Sequence, residues 1–527
     1  MTVLTCASVM LLSAAVAAPP AAPHVKEDPA TDLADFARRA MMEYLTRRST
    51  PDAVPVPASW TPPPPHTLSA AVTLRSGGNL VARVIASKDS LPLSVASAAM
   101  AAMRSEKLPD RVTAEVLAAL TVEVEIIISP DPASEAELSR SVCGLTGLQM
   151  ERAGKIARVL PSQAYEEAMD RQQMRSACLM KVPLDRAAMA STPKWFVFRT
   201  RHFVAVPGQP AKELFRGKVI GGSAAAGDTL AAAAADYLIR HQAPGGAYRV
   251  GDEPPPLREH LAATLAMARL NARGDAPRVR KSVNAAMAYV ARQIKRTERT
   301  AYVVTVEPAD QLAATAYTAM IIAQLPPAPQ AMDIRTALLA AIAGAAGKGE
   351  ISCRLDSTPA AAGVEDLCLA YEALKDAPQS GPEGKALAVG LGNLARQVEA
   401  APATDAWAQA WKAHAGLPAP KTLARAYEIH GHSALLDRRG GIGPVGGEPL
   451  TALTGLCVSG RGGASLELSR EQIEAARRFC AMQMYKGIET YVLAEGEGAR
   501  HGVRACPASA EISVGACAAA MEAFLSE

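Results

Sequence analysis

Aromatic residues are scarce, at 4% of 527 residues. Sugar clefts are usually built on stacking faces, so any carbohydrate site here must rest on few rings. An excess of one charge is also missing. Lys and Arg number 55 against 52 Asp and Glu, and a net +3 over this length gives no case for nucleic acid or an acidic membrane surface. No CxxC occurs among the nine cysteines, which weakens zinc and thioredoxin-like readings. No run beyond the N-terminal leader reaches the ~18 apolar residues of a spanning helix. No GK[ST] ends the glycine-rich Gly440–Gly447 stretch and no strand precedes it, so it reads as a mouth loop and not a phosphate cradle. Ser-His-Asp spacing and a nucleotide fingerprint are absent as well.

What is present is alanine. It supplies much of the 49% hydrophobic fraction. The chain opens on an apolar run, Val9–Ala18. Ala15-Val16-Ala17 ends in the small residues a signal peptidase prefers, and Pro19-Pro20 follows, although the positively charged n-region is missing. We expect a signal peptide over 1–18, an exported chain (periplasmic or extracellular), and no stable membrane insertion once the leader is removed. An exported chain can form disulfides. Cys506 with Cys517, Cys143 with Cys178, and Cys353 with Cys368 are the local pairings to test; for most of these cysteines a small buried hydrophobe is the simpler account.

After a linker over 19–31, Leu33–Leu45 reads as a helix with Leu33, Phe36, Ala37, Ala40 and Met41 on one side. Pro51–Pro65 is an irregular connector. Ala70–Leu74 and Leu80–Ala86 read as strands joined by a Gly77-Gly78-Asn79 turn. Val95–Met103 is a small-residue helix. Leu120–Ile128 is the clearest strand, alternating Val122, Val124 and Ile126 against Glu123 and Glu125. Ala157–Leu160 is a short strand, Gln163–Gln172 a helix, and Trp195–Val206 a closing strand. Arg75, Arg83, Arg152 and Arg158 could line a basic cleft or be solvated at strand edges.

Over Leu33–Pro207 this half resembles the AMMECR family. The resemblance rests on LADFARRAMMEYL, VTLRSGGNLVARV, LTVEVEII followed by Ser129-Pro130, CGLTGLQMERAGKIARVLPSQA, and WFVFRTRHFV. It implies an α+β domain over 32–207. The family carries a signature resembling LRGCIGT after the glycine turn; here the stretch is Leu80-Val81-Ala82-Arg83-Val84-Ile85-Ala86, without the Cys and both Gly. The family has no agreed reaction, so the resemblance transfers a shape more than a function.

A linker over 208–227 ends in Gly-Gly-Ser-Ala-Ala-Ala-Gly. From 228 to 527 we expect six helix pairs: Asp228–His241 with Leu257–Leu270, Arg278–Ile294 with Asp310–Leu325, Asp333–Ala345 with Gly363–Leu374, Gly384–Val398 with Asp405–His414, Thr422–His430 with Glu448–Val458, and Ser469–Met484 with Glu511–Leu525. Ala309–Leu325 is typical, with small residues on most faces. An even number of helices without capping repeats fits a closed barrel of hairpins better than an open solenoid. This half resembles the α/α-toroid superfamily of terpene cyclases and six-hairpin glycosidases, although a DxDD acid and QW repeats are absent. The expected fold is thus an α+β domain followed by an all-α (α/α)6-type toroid.

In such a ring the first turns of the inner helices converge. The catalytic candidates are Glu259, Asp310, Glu365 and Glu448, since carboxylates gathered in a concave site can act as acid and base. Arg258, His260, Asp366, Trp407 and Glu511 are the ligand-binding candidates. Each acid is also what a helix N-terminus wants as a cap. Trp407 and Trp411 share a helical face and could stack on sugar or pack between helices. His430 and His432 form an HxH pair with no evident third ligand, so no metal and no cofactor is expected. The function expected is binding of a small molecule or glycan fragment in the toroid cavity. The alternatives are a hydrolase, lyase or epimerase using paired carboxylates, and a non-enzymatic scaffold for a protein partner.

Overall fold

The computed structural model describes residues 32–56, 69–109, 112–140, 144–167, 169–182, 191–219, 227–250, 254–274, 276–347, 351–356, 360–377, 381–403, 405–417, 441–442, 450–460, 462–493, 496–507 and 510–526. The leader, the 19–31 linker, most of the proline-rich connector, Cys143, the Thr422–His430 helix with His430 and His432, Glu448, and residues 440 and 443–447 of the glycine loop lie outside these.

The first half is α+β. Helix α1 (Asp32–Arg47) buries Leu33, Phe36, Ala37, Ala40 and Met41, one apolar stripe at helical spacing. Strands β1 (Ser69–Ser76) and β2 (Asn79–Ser87) form a hairpin, followed by α2 (Leu91–Ala102) and α3 (Ala114–Ala119). Then come β3 (Thr121–Pro132), α4 (Glu135–Arg140), the hairpin β4 (Gly147–Arg152) and β5 (Lys155–Val159), α5 (Pro161–Glu166), α6 (Arg171–Met180) and β6 (Lys194–Ala205). The sheet order is β2-β1-β3-β6-β4-β5, with every pairing antiparallel. Strand β4 and helices α3, α4 and α6 are additions to the elements expected from sequence. Val72, Leu74, Val122, Val124, Ile126 and Phe203 point to one side and join α1 and α2 in a core.

The presumed linker does not run free. Residues 212–219 carry β7 (Lys212–Phe215), which pairs with β6, and β8 (Lys218–Val219), which pairs with β7. Glycines suggested mobility there, but the polar backbone finds partners on the sheet edge.

The second half is helical. Its elements are α7 (Gly227–Arg240), α8 (Leu257–Arg273), α9 (Pro277–Ala291), a hairpin of β9 (Ile294–Arg296) and β10 (Ala301–Val303), α10 (Gln311–Gln324), α11 (Pro329–Ala346), α12 (Val364–Lys375), α13 (Gly381–Ala400), α14 (Ala406–His414), α15 (Leu450–Val458), α16 (Gly462–Ser465), α17 (Arg470–Gln483) and α18 (Val514–Leu525). Among the described residues, α8 packs on α10, α10 on α12, α12 on α14, α14 on α15, α15 on α18, and α18 back on α8. Helices α9, α11, α13 and α17 pack outside them. Small residues make this possible. Nearly every position of α10 from Gln311 to Ile322 is buried, because alanine and threonine let helices approach from several sides. At Gly455 on α15, a Cβ would lie 2.5 Å from the Ala519 carbonyl oxygen on α18.

The two halves meet on the Glu123–Glu125 face of the sheet. That face is buried: Arg75 bonds Glu123 at 2.5 Å, Arg83 bonds Glu166 at 2.6 Å, and His202 Nε2 lies 2.9 Å from Glu123. Burial alone would lower the Arg75 pKa, but Glu123 and Glu166 more than offset this and raise it. The Tyr491 ring, from the second half, sits over Arg75 and edge-on to His202. The basic-cleft reading is therefore corrected. Arg75 and Arg83 are paired inside, Arg152 donates to the Ser191 carbonyl, and Arg158 donates to Gln149. Arg504, with no exposed surface, donates to the Tyr165 hydroxyl (3.1 Å), the Arg216 carbonyl (2.9 Å) and Gln483 Oε1 (2.7 Å). The Tyr165 hydroxyl donates to the Tyr485 hydroxyl (3.0 Å), which donates to the Ala510 carbonyl (2.7 Å). Lys218 bonds Glu489 and the Met484 carbonyl alongside.

Cys178, Cys353, Cys368, Cys457, Cys480, Cys506 and Cys517 are free thiols, all but Cys506 buried. The Cys506–Cys517 and Cys353–Cys368 pairings are not formed. Burial pushes the Cys368 and Cys517 thiols up to about 12.

Two substitutions test this packing. Gly455→Ala should destabilise the chain by about 1–3 kcal/mol in denaturant unfolding, although alanine favours helix by ~1 kcal/mol, because α15 and α18 must separate. Arg504→Met should cost about 3–5 kcal/mol in the same assay, since three buried acceptors lose a charged donor together.

Candidate functional site

The six inward helices enclose a cavity of about 400 Å³. Each offers residues one and two turns apart: Arg258, Ala262, Leu265 and Arg269 from α8; Tyr317 and Met320 from α10; Glu365, Leu369 and Glu372 from α12; Trp407, Trp411 and His414 from α14; Ala452, Leu456 and Ser459 from α15; Gly515, Ala518, Ala519 and Glu522 from α18. Spacings of three, four and seven put such residues on one face of each helix. The mouth is polar, the middle is mostly apolar, and the far end is polar again.

Arg258 organises the mouth. Its Nε lies 2.6 Å from Asp310 Oδ1, its Nη1 3.2 Å from Glu365 Oε2, and its Nη2 2.6 Å from Asp366 Oδ1. Burial would lower the Arg258 pKa, but Glu365, Asp366 and Asp310 together raise it. Glu365 also accepts from the Trp407 indole N–H at 3.1 Å. Burial nonetheless holds the Glu365 and Asp366 carboxyls above their usual values. Asp366 further accepts from the Gly363 N–H at 3.0 Å, which makes it the cap of its own helix.

Glu259 faces the cavity but caps a neighbour. Its Oε2 accepts from the Gly515 N–H at 2.7 Å and the Ser513 hydroxyl at 3.2 Å, at the start of α18. A Cβ at residue 515 would lie 3.1 Å from that oxygen, so glycine permits the close approach. Glu511 lines the mouth beside it.

Asp310 and Asp366 stand behind Arg258 and do not line the cavity. His260 is turned the other way. It is 1% exposed, with its ring 4.9 Å from Tyr248 and 5.1 Å from Tyr289. Burial pushes its pKa down to about 4. It is a neutral core histidine. The helix turns by 100° per residue, so the neighbour of two cavity residues falls on the outer face. Trp407 and Trp411 both line the cavity and meet edge to face at 6.4 Å.

Reading only the first turn of each helix misses the far layer. Arg269 bonds Glu522 at 2.6 Å. Glu372 accepts from Lys375 at 3.0 Å, and burial raises its pKa. His414 lies 3.0 Å from the Ser459 hydroxyl, with its pKa pushed down to about 4 by burial and then by Arg269. Burial also raises the Tyr317 phenol. The available signal on three of the helices was a polar residue seven positions beyond a mouth residue: Glu372 after Glu365, His414 after Trp407, Glu522 after Gly515.

Glu259 and Asp366 are engaged as caps, while Asp310 and Glu365 share one guanidinium. The arrangement is thus better suited to presenting hydrogen-bonding groups than to trading a proton between two carboxylates. Among the described residues, no group of three or more His, Cys, Asp or Glu could hold a metal ion, and no helix is long and apolar enough to cross a membrane. A wider groove of about 830 Å³ lies outside the ring, near α17; there Arg477 donates to the Ala523 and Ser526 carbonyls.

Replacing Arg258 with Met should cost about 2–4 kcal/mol at neutral pH, because three acids lose their common cation. An acid whose folded pKa is raised binds protons more readily folded than unfolded, so its penalty fades as pH falls through the folded value. The gap between wild type and Arg258→Met, read from unfolding at several pH values, should therefore narrow in acid.

No curated protein matches the chain. Among solved structures, the uncharacterised protein PH0010 from Pyrococcus horikoshii is similar at 21% identity, over 35% of this chain and 96% of that one, with a TM-score of 0.30. The family model described as AMMECR1 matches residues 34–203, a stretch that ends before the helical half begins. Residues 34–203 of this chain are an AMMECR1 domain.

Proposed function

We propose that the helical half is an α/α toroid and that the protein binds a small ligand, a glycan fragment, in its axial cavity. The observation that carries this is the circle of six inward helices, in which α18 packs back on α8, around about 400 Å³ of space lined from every side. That volume falls within the range of roughly 300–1,000 Å³ typical of small-molecule sites. Trp407 and Trp411 with the Glu365 carboxylate supply the mixture of apolar surface and acceptors that a sugar ring needs.

Binding is preferred to catalysis because Glu259 and Asp366 are committed to helix N-termini. A scaffold role is less well supported, since the small-residue faces of helices such as α10 are used within the fold. The same reading takes the protein to be exported. The leader-like Val9–Ala18 run supports that.

A panel of mono- and disaccharides tested by thermal shift on the full chain should show stabilisation by at least one member. Ala262→Phe, which fills the cavity from α8, should abolish the shift while leaving the circular dichroism unchanged. Stabilisation that survives Ala262→Phe would place the ligand elsewhere and end this reading.

A further inference from the structure

The charge of the cavity narrows its guest. Among the described residues its lining carries two cations, Arg258 and Arg269, and five acids, Glu259, Glu365, Glu372, Glu511 and Glu522. Both cations are occupied: Arg258 by Asp310, Glu365 and Asp366, and Arg269 by Glu522. His414 brings no charge, since burial leaves it neutral. An anion entering this space would meet excess negative potential and no uncommitted guanidinium. A cation would meet the reverse.

Two further observations agree. Glu365 and Glu372 stand two turns apart on α12, and burial raises both pKa values although Arg258 and Lys375 lie beside them, so neither neighbouring cation fully offsets the loss of water. Trp407, Trp411 and Tyr317 line the same space, and aromatic faces favour cations.

We propose that the cavity takes a sugar bearing a free, protonated amino group, with the ammonium at Glu372. This rests on the reading of the cavity as a glycan site and adds the charge of the glycan. Glu372 is the recognising acid because its bond to Lys375, a residue on its own helix, leaves its second oxygen for the guest. Glu365 already accepts from both Arg258 and Trp407.

The test is calorimetric titration of the full chain with three β-1,4 disaccharides: glucosamine, its N,N′-diacetyl form, and a uronic acid. The glucosamine disaccharide should bind roughly tenfold or more tightly than the acetylated one, the worth of one charge-assisted bond. The uronate should give no heat. Glu372→Gln should bring the first two to near parity with an unchanged melting temperature, and Lys375→Gln should leave the preference intact. Equal or tighter binding of the acetylated or acidic sugar would overturn the charge assignment and leave the glycan site standing. If none of the three binds, both fall. A preference unchanged in Glu372→Gln would overturn the assignment to that residue.

Discussion

The buried Arg504 guanidinium holds the two halves in one structure. It donates at once to Tyr165 and Arg216 of the first half and to Gln483 of the second. A cation without water is costly, so its place is fixed by the need for several acceptors in fixed directions. Tyr165 and Tyr485 extend that network to the Ala510 carbonyl, just before α18. The helix that completes the inner circle is thus anchored, through one side-chain chain, to the sheet domain.

This joint explains why one sheet carries charges on a covered face. Glu123 and Glu125 alternate with valines, as in a strand with one wet side. Here that side is roofed by α5 and by Tyr491. The acids remain tolerable because Arg75, Arg83 and His202 share the space; against the effect of burial, Arg75 first, then His202 and Arg83, keep Glu123 well below the usual carboxylate range, at about 2. Glu125 has less help, and burial raises it.

At the other end, alanine sets the cavity. Large side chains on six converging helices would plug the axis. Ala262, Ala452, Ala518 and Ala519 leave it open, while Gly455 lets α15 approach α18 closely. The same small residues explain why helices such as α10 have almost no exposed face. The aromatic scarcity noted at the outset follows from this packing; two of the four tryptophans, Trp407 and Trp411, stand in the cavity.

Local pattern was enough to place most helices and the central strands, because amphipathic stripes and alternation are properties of a dozen neighbouring residues. It also named Arg258, Glu259, Glu365, Trp407 and Glu511, which line the cavity, since helix first turns advertise themselves by their acids. It could not say that Glu259 caps a helix some 250 residues away, that His260 points outward, or that Arg75 and Arg83 are neutralised inside. Those facts depend on which faces meet. The far layer of Arg269, Glu372, His414 and Glu522 became visible only when six helices shared an axis. Periodicity along a chain specifies faces; only folding decides what each face confronts.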